Sequence, residues 1–242
     1  MTVGSPQGRA LVWAAVIVAA GRGRRLGRPK QFLELAGLPM VAWSIATFAS
    51  MPEIAELVVV TEPESLEPMR ELCLRHAPAR AARVVRGGAT RQQSVRHGVE
   101  AVDPACSAVL VHDGARPLVR AADVRVAMAQ VGERRAALLA VPVVDTIKVV
   151  DRDSKIVVET LERGRLWAAQ TPQLALRVEL IAAHESGLRD RVEATDDAAL
   201  LERIGVEVVA VASSPENFKV TLPEDLARAQ AILEMRAAAA AR

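Results

Sequence analysis

The chain has 242 residues, of which 51% are hydrophobic, so it can bury a sizeable core in one large or two small domains. We expect a single domain over residues 1–242. Its 31 basic and 29 acidic residues nearly cancel to a net charge of +2, and Tyr is absent; both facts argue against nucleic acid as a partner. The sequence has neither a secretory signal nor an apolar run long enough to cross a membrane, which predicts a cytoplasmic protein without a membrane partner.

Short apolar segments alternate with helical patterns along most of the chain. Strands are predicted near residues 14–20, 57–61, 83–86, 108–112, 137–141, 166–171 and 206–211. Helices are predicted near residues 39–50, 64–75, 92–102, 121–130, 177–186, 196–204 and 223–235. This alternation predicts an α/β fold of three layers, in which helices cover both faces of a mainly parallel sheet.

A strand-turn-strand pattern interrupts the alternation after Pro142. Residues 146–150 and 155–159 flank a polar turn, which predicts an inserted β-hairpin arm over about residues 143–165. Isolated two-stranded ribbons are marginally stable in water, so the apolar side chains of the arm need support. We expect a second subunit to supply that support in a homodimer; the alternative is a hairpin folded against the sheet of its own chain.

A glycine-rich segment with many cations follows the first predicted strand. Gly21 and Gly23 allow backbone N–H groups to approach an anion, and five Arg and Lys residues lie within residues 22–30. The segment does not match the dinucleotide fingerprint, because Leu26 stands where the third glycine belongs, and it lacks the Gly-Lys-Ser/Thr of a Walker loop. A turn with solvated arginines is the alternative, but glycines and cations at the carboxyl end of a strand favour a triphosphate site.

Polar or cationic residues also follow four later predicted strands, at residues 86–91, 112–117, 145–148 and 216–221. Strand ends at one edge of a sheet share a crevice, so we expect these segments to meet. Gly87 and Gly88 would offer bare backbone to a flat ring, with Ser94 as a polar partner one turn into the helix. An ordinary strand-to-helix turn explains the two glycines equally well.

Individual side chains in these segments carry further expectations. Asp113 can hold a hydrated magnesium ion together with phosphate oxygens, or it can act as a cap or turn residue. His112 is expected to pack or to bond the backbone, because no second His lies at ligand spacing. In a strand, Lys219 would point away from its two apolar neighbours toward polar space. Thr195 is expected to cap the helix that begins at Asp196.

No Ser/His/Asp or Cys/His constellation is present, and Cys73 and Cys106 lack metal-ligand spacing, which predicts two reduced core thiols. The missing general base is informative. A phosphate anion is already a nucleophile, and the barrier to its attack on another polyanion is charge repulsion, which Arg, Lys and magnesium reduce.

Taken together in their order, the motifs of residues 14–233 resemble the 2-C-methyl-D-erythritol 4-phosphate cytidylyltransferase family of the non-mevalonate isoprenoid pathway. The matching motifs are Ala19-Ala20-Gly21-x-Gly23-x-Arg25-Leu26 with Pro29-Lys30-Gln31, Gly87-Gly88 with Arg91 and Ser94, 111–117, 142–148, Arg163, 170–173, 195–197 and 217–221. The resemblance implies a Rossmann-like nucleotidyltransferase sheet, a homodimer joined by the arm, and cytidylyl transfer from CTP to a sugar-alcohol phosphate with release of pyrophosphate.

The resemblance also implies roles for individual residues. Catalytic roles fall on Arg25, Lys30, Arg163 and Lys219, of which Arg25 and Lys30 would stabilise charge on the α-phosphorus. CTP would be bound by Ala19, Ala20, Gly21, Gly23, Gly88 and Ser94. The sugar phosphate would be bound by Asp113, Arg116, Thr146, Arg163 and Lys219, one of them reaching in from the other subunit, with Asp113 as the expected ligand of Mg2+.

Two alternatives to this function stay open at the level of sequence. A pentitol phosphate cytidylyltransferase, acting for example on ribitol 5-phosphate, would share most of these loops, although Thr146 and Arg163 favour methylerythritol phosphate. A nucleotide-binding module without turnover would keep the fold, but the presence of Arg25, Lys30 and Lys219 argues against it.

Overall fold

The structure is a computed structural model that describes residues 10–21 and 30–240. Its strands are, in chain order, β1 (Trp13–Val18), β2 (Glu34–Leu35), β3 (Leu38–Pro39), β4 (Ile54–Thr61), β5 (Ala81–Arg86), β6 (Ala108–Asp113), β7 (Arg135–Pro142), β8 (Lys148–Val150), β9 (Val157–Thr160), β10 (Trp167–Leu176) and β11 (Glu207–Ala212). Its helices are α1 (Met40–Ala49), α2 (Leu66–His76), α3 (Arg91–Glu100), α4 (Ala121–Met128), α5 (Arg177–Arg189), α6 (Asp197–Arg203) and α7 (Pro223–Ala240).

Seven strands form the central sheet, in the order β11-β7-β10-β6-β1-β4-β5. All neighbours are parallel except β10, which lies antiparallel to both β6 and β7. The prediction of a mainly parallel sheet is therefore confirmed. Because β1 and β6 are buried on both faces, each is a nearly continuous apolar run rather than an alternating one.

Helices cover both faces of this sheet, as the alternation predicted. On one face α1, α2 and α4 contribute Ile45, Phe48, Met69 and Val124 to a buried cluster. On the other face, α3, α5 and α6 contribute a second buried cluster that includes Val95, Val99, Leu180, Leu200 and Leu201. The sheet therefore lies between two separate cores, in which the apolar stripe of each helix is buried against it.

A third buried cluster lies at the edge where the strand ends meet. The last helix, α7, packs Ile232 and Leu233 against Leu35, Leu118 and Val220. The segment between β11 and α7 is thereby attached to the turn after β6, where the Val220 N–H donates to the carbonyl of Ala115 at 2.8 Å. This attachment sets the position of the residue before Val220, which is Lys219.

The hairpin predicted after Pro142 is present as β8 and β9, which pair antiparallel with each other in a separate two-stranded sheet. It continues outward from the antiparallel pair β7 and β10, where the Val143 N–H donates to the carbonyl of Leu166. All residues of β8 and β9 are exposed, so the alternative of a hairpin packed against its own central sheet is wrong. Val144 is 79% exposed, Ile156 66% and Val158 64%.

Three local expectations need correction. The strand expected at 166–171 extends to Leu176, because its second half pairs with β6 as well as β7. The cap of α6 is Asp196, not Thr195: its carboxylate accepts the N–H of Ala199 at 3.0 Å. Lys219 lies in an irregular segment, not in a strand, since residues 213–222 make no ladder with the sheet.

Two expectations from composition can be compared with the described residues. Cys73 and Cys106 are buried and free, as predicted. Within residues 10–21 and 30–240, no helix combines the length and the apolar character that a membrane span requires.

Candidate active site

A cavity of about 910 Å³ opens at the carboxyl ends of β1, β5 and β6. Its lining includes Ala19, Ala20, Gly21, Lys30, Gly88, Thr90, Arg91, Ser94, Asp113 and Lys219. The segments that follow separate strands therefore share one crevice, as their placement in the sequence predicted. In particular, Lys30 and Lys219 line the same pocket although they lie far apart in the chain.

The loop between β5 and α3 forms one wall of the cavity. The Gly87 N–H donates to the carbonyl of Thr61, and the Gly88 N–H donates to the Ser94 hydroxyl at 3.0 Å. That hydroxyl in turn donates to the carbonyl of Thr90 at 2.9 Å. A Cβ on Gly87 would lie 2.5 Å from the Cβ of Ala20, so only glycine allows the two loops to approach this closely. Ser94 thus holds the loop in place, in addition to facing the cavity.

A carboxylate between two cations lies on the floor of the cavity. Asp113 accepts hydrogen bonds from Arg91 Nε at 3.0 Å and from Lys219 Nζ at 2.7 Å, one on each oxygen. Burial alone would raise the pKa of Asp113, but the charges of Arg91 and Lys219 outweigh it and lower the pKa well below its usual range. Asp113 is therefore ionised at neutral pH and orients both cations.

A buried histidine supports Asp113 from behind. The Thr171 hydroxyl accepts the Asp113 N–H at 3.0 Å and lies 3.1 Å from His112 Nδ1. His112 Nε2 lies 3.1 Å from the carbonyl of Arg116, which can only accept, so Nε2 carries the proton and Nδ1 accepts from Thr171. Burial lowers the pKa of His112 to about 4, so the ring is neutral. Packing and a backbone bond were predicted for His112, and both are confirmed, the packing against Phe48.

Lys30 enters the cavity from a short 3-10 turn, Lys30–Phe32. Its Nζ donates to the carbonyl of Val220 at 3.1 Å, next to Lys219 in the chain. Lys30 is therefore bonded to the main chain of the irregular segment 213–222, and Lys219 is itself a residue of that segment. This arrangement concentrates positive charge at one side of the cavity, where an anionic ligand would be stabilised.

Several residues assigned from the sequence do not line this cavity. Arg116 is turned toward the main chain and donates to the carbonyl of Asn217 at 2.7 Å. Thr146 and Arg163 lie on the exposed arm, where Arg163 Nη1 donates to the carbonyl of Val144. Their assignment to a sugar-phosphate site stays a prediction. Gly23 and Arg25 lie outside the described residues.

The side chains around Asp113 do not match the donor set that magnesium requires. Mg2+ is typically held by one or two carboxylates plus phosphate oxygens and water. Both oxygens of Asp113 already accept bonds from cations, and the described residues contain no group of three or more His, Cys, Asp or Glu side chains that could hold a metal. In this arrangement, paired with two cations, Asp113 does not fit the role of a direct metal ligand.

Two parts of this site were not recognised from the sequence. Arg91 was matched only as a motif residue, yet it links Asp113 to the buried Asp197. Thr171 received no role, yet it joins His112 to the main chain of Asp113. The position of Arg91 shortly after Gly87 and Gly88 was the sequence signal that could have assigned it to the site. No local signal indicates Thr171, because Thr171 and Asp113 meet only through the pairing of β10 with β6.

Comparison with known proteins gives one consistent result. The family model described as 2-C-methyl-D-erythritol 4-phosphate cytidylyltransferase matches residues 13–235. The protein of that name from Halalkalibacterium halodurans is 41% identical over 223 residues, which cover 91% of this chain and 96% of the relative. The protein of that name from Pelotomaculum thermopropionicum is 42% identical over 227 residues, covering 92% of this chain and 94% of the relative.

Solved structures agree with this comparison. A 4-diphosphocytidyl-2C-methyl-D-erythritol synthase from Anaerococcus prevotii superposes with a TM-score of 0.82 at 28% identity, covering 93% of this chain and 100% of the other. The 2-C-methyl-D-erythritol 4-phosphate cytidylyltransferase from Thermus thermophilus superposes with a TM-score of 0.74 at 33% identity, covering 90% and 98%. The likeness thus extends over almost the whole length of both chains.

Proposed function

This chain belongs to the 2-C-methyl-D-erythritol 4-phosphate cytidylyltransferase family, and from that premise we propose how its cavity performs the reaction. The enzyme transfers a cytidylyl group from CTP to 2-C-methyl-D-erythritol 4-phosphate and releases pyrophosphate, in the non-mevalonate route to isoprenoid precursors. One observation carries the proposal: Lys30, Lys219 and the Gly88 loop, from three distant parts of the chain, line one cavity at the carboxyl edge of the sheet.

The chemical step needs no general base. An oxygen of the acceptor phosphate attacks the α-phosphorus of CTP and forms a new P–O bond. The bond from the α-phosphorus to the oxygen that bridges it to the β-phosphorus breaks, and pyrophosphate leaves with that electron pair. Because no proton moves, positioning and neutralisation of negative charge are the main contributions that the protein can make.

The lining of the cavity supports a division into three parts, for the cytidine, the triphosphate and the acceptor phosphate. Gly88 and Ser94, with Ala19, Ala20 and Gly21, form the cytidine side, where the closely packed loops leave room for a flat base. Lys30 faces the triphosphate. The role that the family resemblance implies for Arg25 there falls outside the described residues. Lys219 binds the acceptor phosphate and is held in place by Asp113, to which it donates at 2.7 Å.

We propose that Mg2+ enters as the CTP complex, held by phosphate oxygens and water. This follows from the chemistry of the ion, which needs few protein ligands when a triphosphate is present, and from the occupied oxygens of Asp113. Omission of Mg2+ should abolish turnover, while Asp113→Asn should leave the Mg2+ concentration for half-maximal rate unchanged. A large rise in that concentration would assign Asp113 to the metal after all.

A cytoplasmic homodimer joined by the arm completes the proposal. The exposed apolar residues of β8 and β9 would be buried against a second copy, and the arm would bring Thr146 and Arg163 to the acceptor side of the partner's cavity. Support comes from their position: within one chain, both side chains are exposed and lie on the arm rather than along the cavity.

Mixed dimers test whether Arg163 acts across subunits. Arg163→Ala and Lys219→Ala should each be nearly inactive alone. After co-refolding at equal amounts, half of the dimers are mixed, and each has one cavity with both residues intact, so about a quarter of wild-type activity should return. If Arg163 serves its own chain, the mixture stays as inactive as its components.

The reaction itself is tested by pyrophosphate release from CTP with each candidate acceptor. Methylerythritol phosphate should support turnover with a far higher kcat/KM than ribitol 5-phosphate. Equal or better turnover with the pentitol phosphate would reject the assigned acceptor, and intact CTP with every acceptor would reject the enzymatic function.

A further inference from the structure

A row of alternating charges leads from the cavity into the helix layer behind it. Arg91, in the first turn of α3, lies between two carboxylates: its Nε donates to Asp113 at 3.0 Å, and its Nη1 donates to Asp197 at 3.0 Å. Asp113 in turn holds Lys219. The order of charges is therefore Lys219, Asp113, Arg91 and Asp197, with signs that alternate from one to the next.

Asp197 lies outside the cavity and is almost completely buried, its side chain being 1% exposed. Its main chain is fixed, because Gln173 Oε1 accepts the N–H groups of both Asp197 and Ala198. His184, from α5, closes the other side of the carboxylate, with Nε2 3.3 Å from Oδ1 but without hydrogen-bond geometry. Burial alone would raise the pKa of Asp197, but the charge of Arg91 outweighs it and the pKa is lowered.

The guanidinium of Arg91 is planar and rigid, so two carboxylates on different edges fix both its position and its plane. If Asp197 loses its charge, only Asp113 holds the guanidinium. An isolated arginine and carboxylate favour a bidentate pairing that uses both carboxylate oxygens. That pairing would turn the second oxygen of Asp113 toward Arg91 and weaken the hydrogen bond that this oxygen now accepts from Lys219.

We infer that Asp197 is a positioning residue for cytidylyl transfer, which acts through Arg91 to keep one oxygen of Asp113 available to Lys219. The inference rests on the proposed role of Lys219 in binding the acceptor phosphate. It therefore places the effect of Asp197 on the acceptor side of the reaction, although Asp197 itself touches neither substrate.

The decisive variant is Asp197→Asn, which keeps size and removes charge. We expect kcat/KM for methylerythritol phosphate to fall about 10- to 100-fold, the range that corresponds to losing one hydrogen bond to a charged group, with a much smaller change in KM for CTP. Asp197→Glu, which keeps the charge, should recover part of the loss. The matched control is Glu202→Gln, which removes one carboxylate charge from an exposed position of the same helix and should leave the ratio of the two KM values unchanged.

A second pair of variants tests the route through Arg91. Arg91→Lys keeps a positive charge but cannot bridge two carboxylates in fixed geometry, so it should show the same selective loss for the acceptor. Adding Asp197→Asn to Arg91→Lys should then have little further effect. If Asp197→Asn does not fold, Arg91→Lys alone tests the inference. An unchanged KM for the acceptor in Arg91→Lys then overturns it.

Other outcomes are equally clear. The inference is overturned if Asp197→Asn has the kinetic constants of the wild type, or if its kcat/KM falls equally for CTP and for the acceptor. It is also overturned if the losses of the two single variants multiply in the double variant. The wild-type enzyme is assayed in the same series: if it does not turn over methylerythritol phosphate, the proposed function fails, whereas failure of the variants alone removes only the role of Asp197.

Discussion

The strand-end cavity and the inserted arm differ in how their side chains are supported. In the cavity, charged groups contact one another within the chain: Asp113 holds Arg91 and Lys219, and His112 and Thr171 hold Asp113. In the arm, apolar groups contact little of their own chain, and Ile156 and Val158 are about two thirds exposed. The described residues of the cavity thus support one another within the chain, whereas the arm exposes apolar side chains that the proposed partner subunit would cover.

The largest effect is expected where the arm is altered. Ile156→Lys with Val158→Lys should prevent dimer formation, because burying each side chain contributes about 1.5 kcal/mol or more, and four such side chains occur per dimer. The dissociation constant should rise about 1,000-fold or more, measured by sedimentation velocity. The control is Leu74→Lys with Leu188→Lys, at exposed apolar positions on helices away from the arm. The arm is not the dimer interface if the control variant dissociates as readily as the arm variant, or if the arm variant stays dimeric.

Within the cavity, Lys30→Ala should lower kcat about 100-fold or more, the size seen when a single preorganised donor is removed. KM for CTP should change less, since the charge acts mainly in the transition state. Steady-state pyrophosphate release measures both constants. Arg203→Ala, which breaks an exposed ion pair with Asp190, serves as a control of equal charge change. A nearly unchanged kcat in Lys30→Ala would reject its catalytic role.

The support behind Asp113 predicts a pH dependence of stability. His112 is held neutral with a pKa of about 4, below the ordinary value of 6.5, so the unfolded chain binds the proton more readily. The contribution of the neutral His112 to the free energy of unfolding is therefore fully present above about pH 6.5 and is lost as the pH falls toward 4. Between pH 7 and pH 5 the loss from this group is about 2 kcal/mol.

Urea unfolding of the wild type and of His112→Gln at the two pH values measures this contribution. The variant should be less stable at pH 7, because its ring contacts are lost, but its stability should fall less on acidification. If both proteins lose the same free energy of unfolding between pH 7 and pH 5, the buried neutral histidine is not the cause.

The smallest effect is expected at the cytidine wall. Gly87→Ala would place a Cβ 2.5 Å from Ala20 Cβ, so the two loops must separate. We expect KM for CTP to rise about 10-fold, corresponding to an overpacking cost of about 1.4 kcal/mol. Gly132→Ala is the matched control, because a Cβ there meets nothing within 4 Å. Equal KM values for the two variants would show that the close approach is not needed for CTP.

The sequence by itself determined the order of elements, the mainly parallel sheet and the inserted hairpin. These features follow from local rules: apolar runs of strand length, helical periodicity and turn residues act over short stretches of chain. It also placed Lys30, Gly88, Asp113 and Lys219 at strand ends, and the rule that such ends share a crevice was enough to bring them together.

Only the tertiary structure decided which of those side chains bond to which. Lys219 and Asp113 lie 106 positions apart, as do Arg91 and Asp197, and Thr171 reaches His112 only because β10 runs antiparallel beside β6. No local pattern encodes such pairs, since they depend on the register of distant strands and on the depth at which each group is buried. The same long-range packing turned Arg116 toward the main chain.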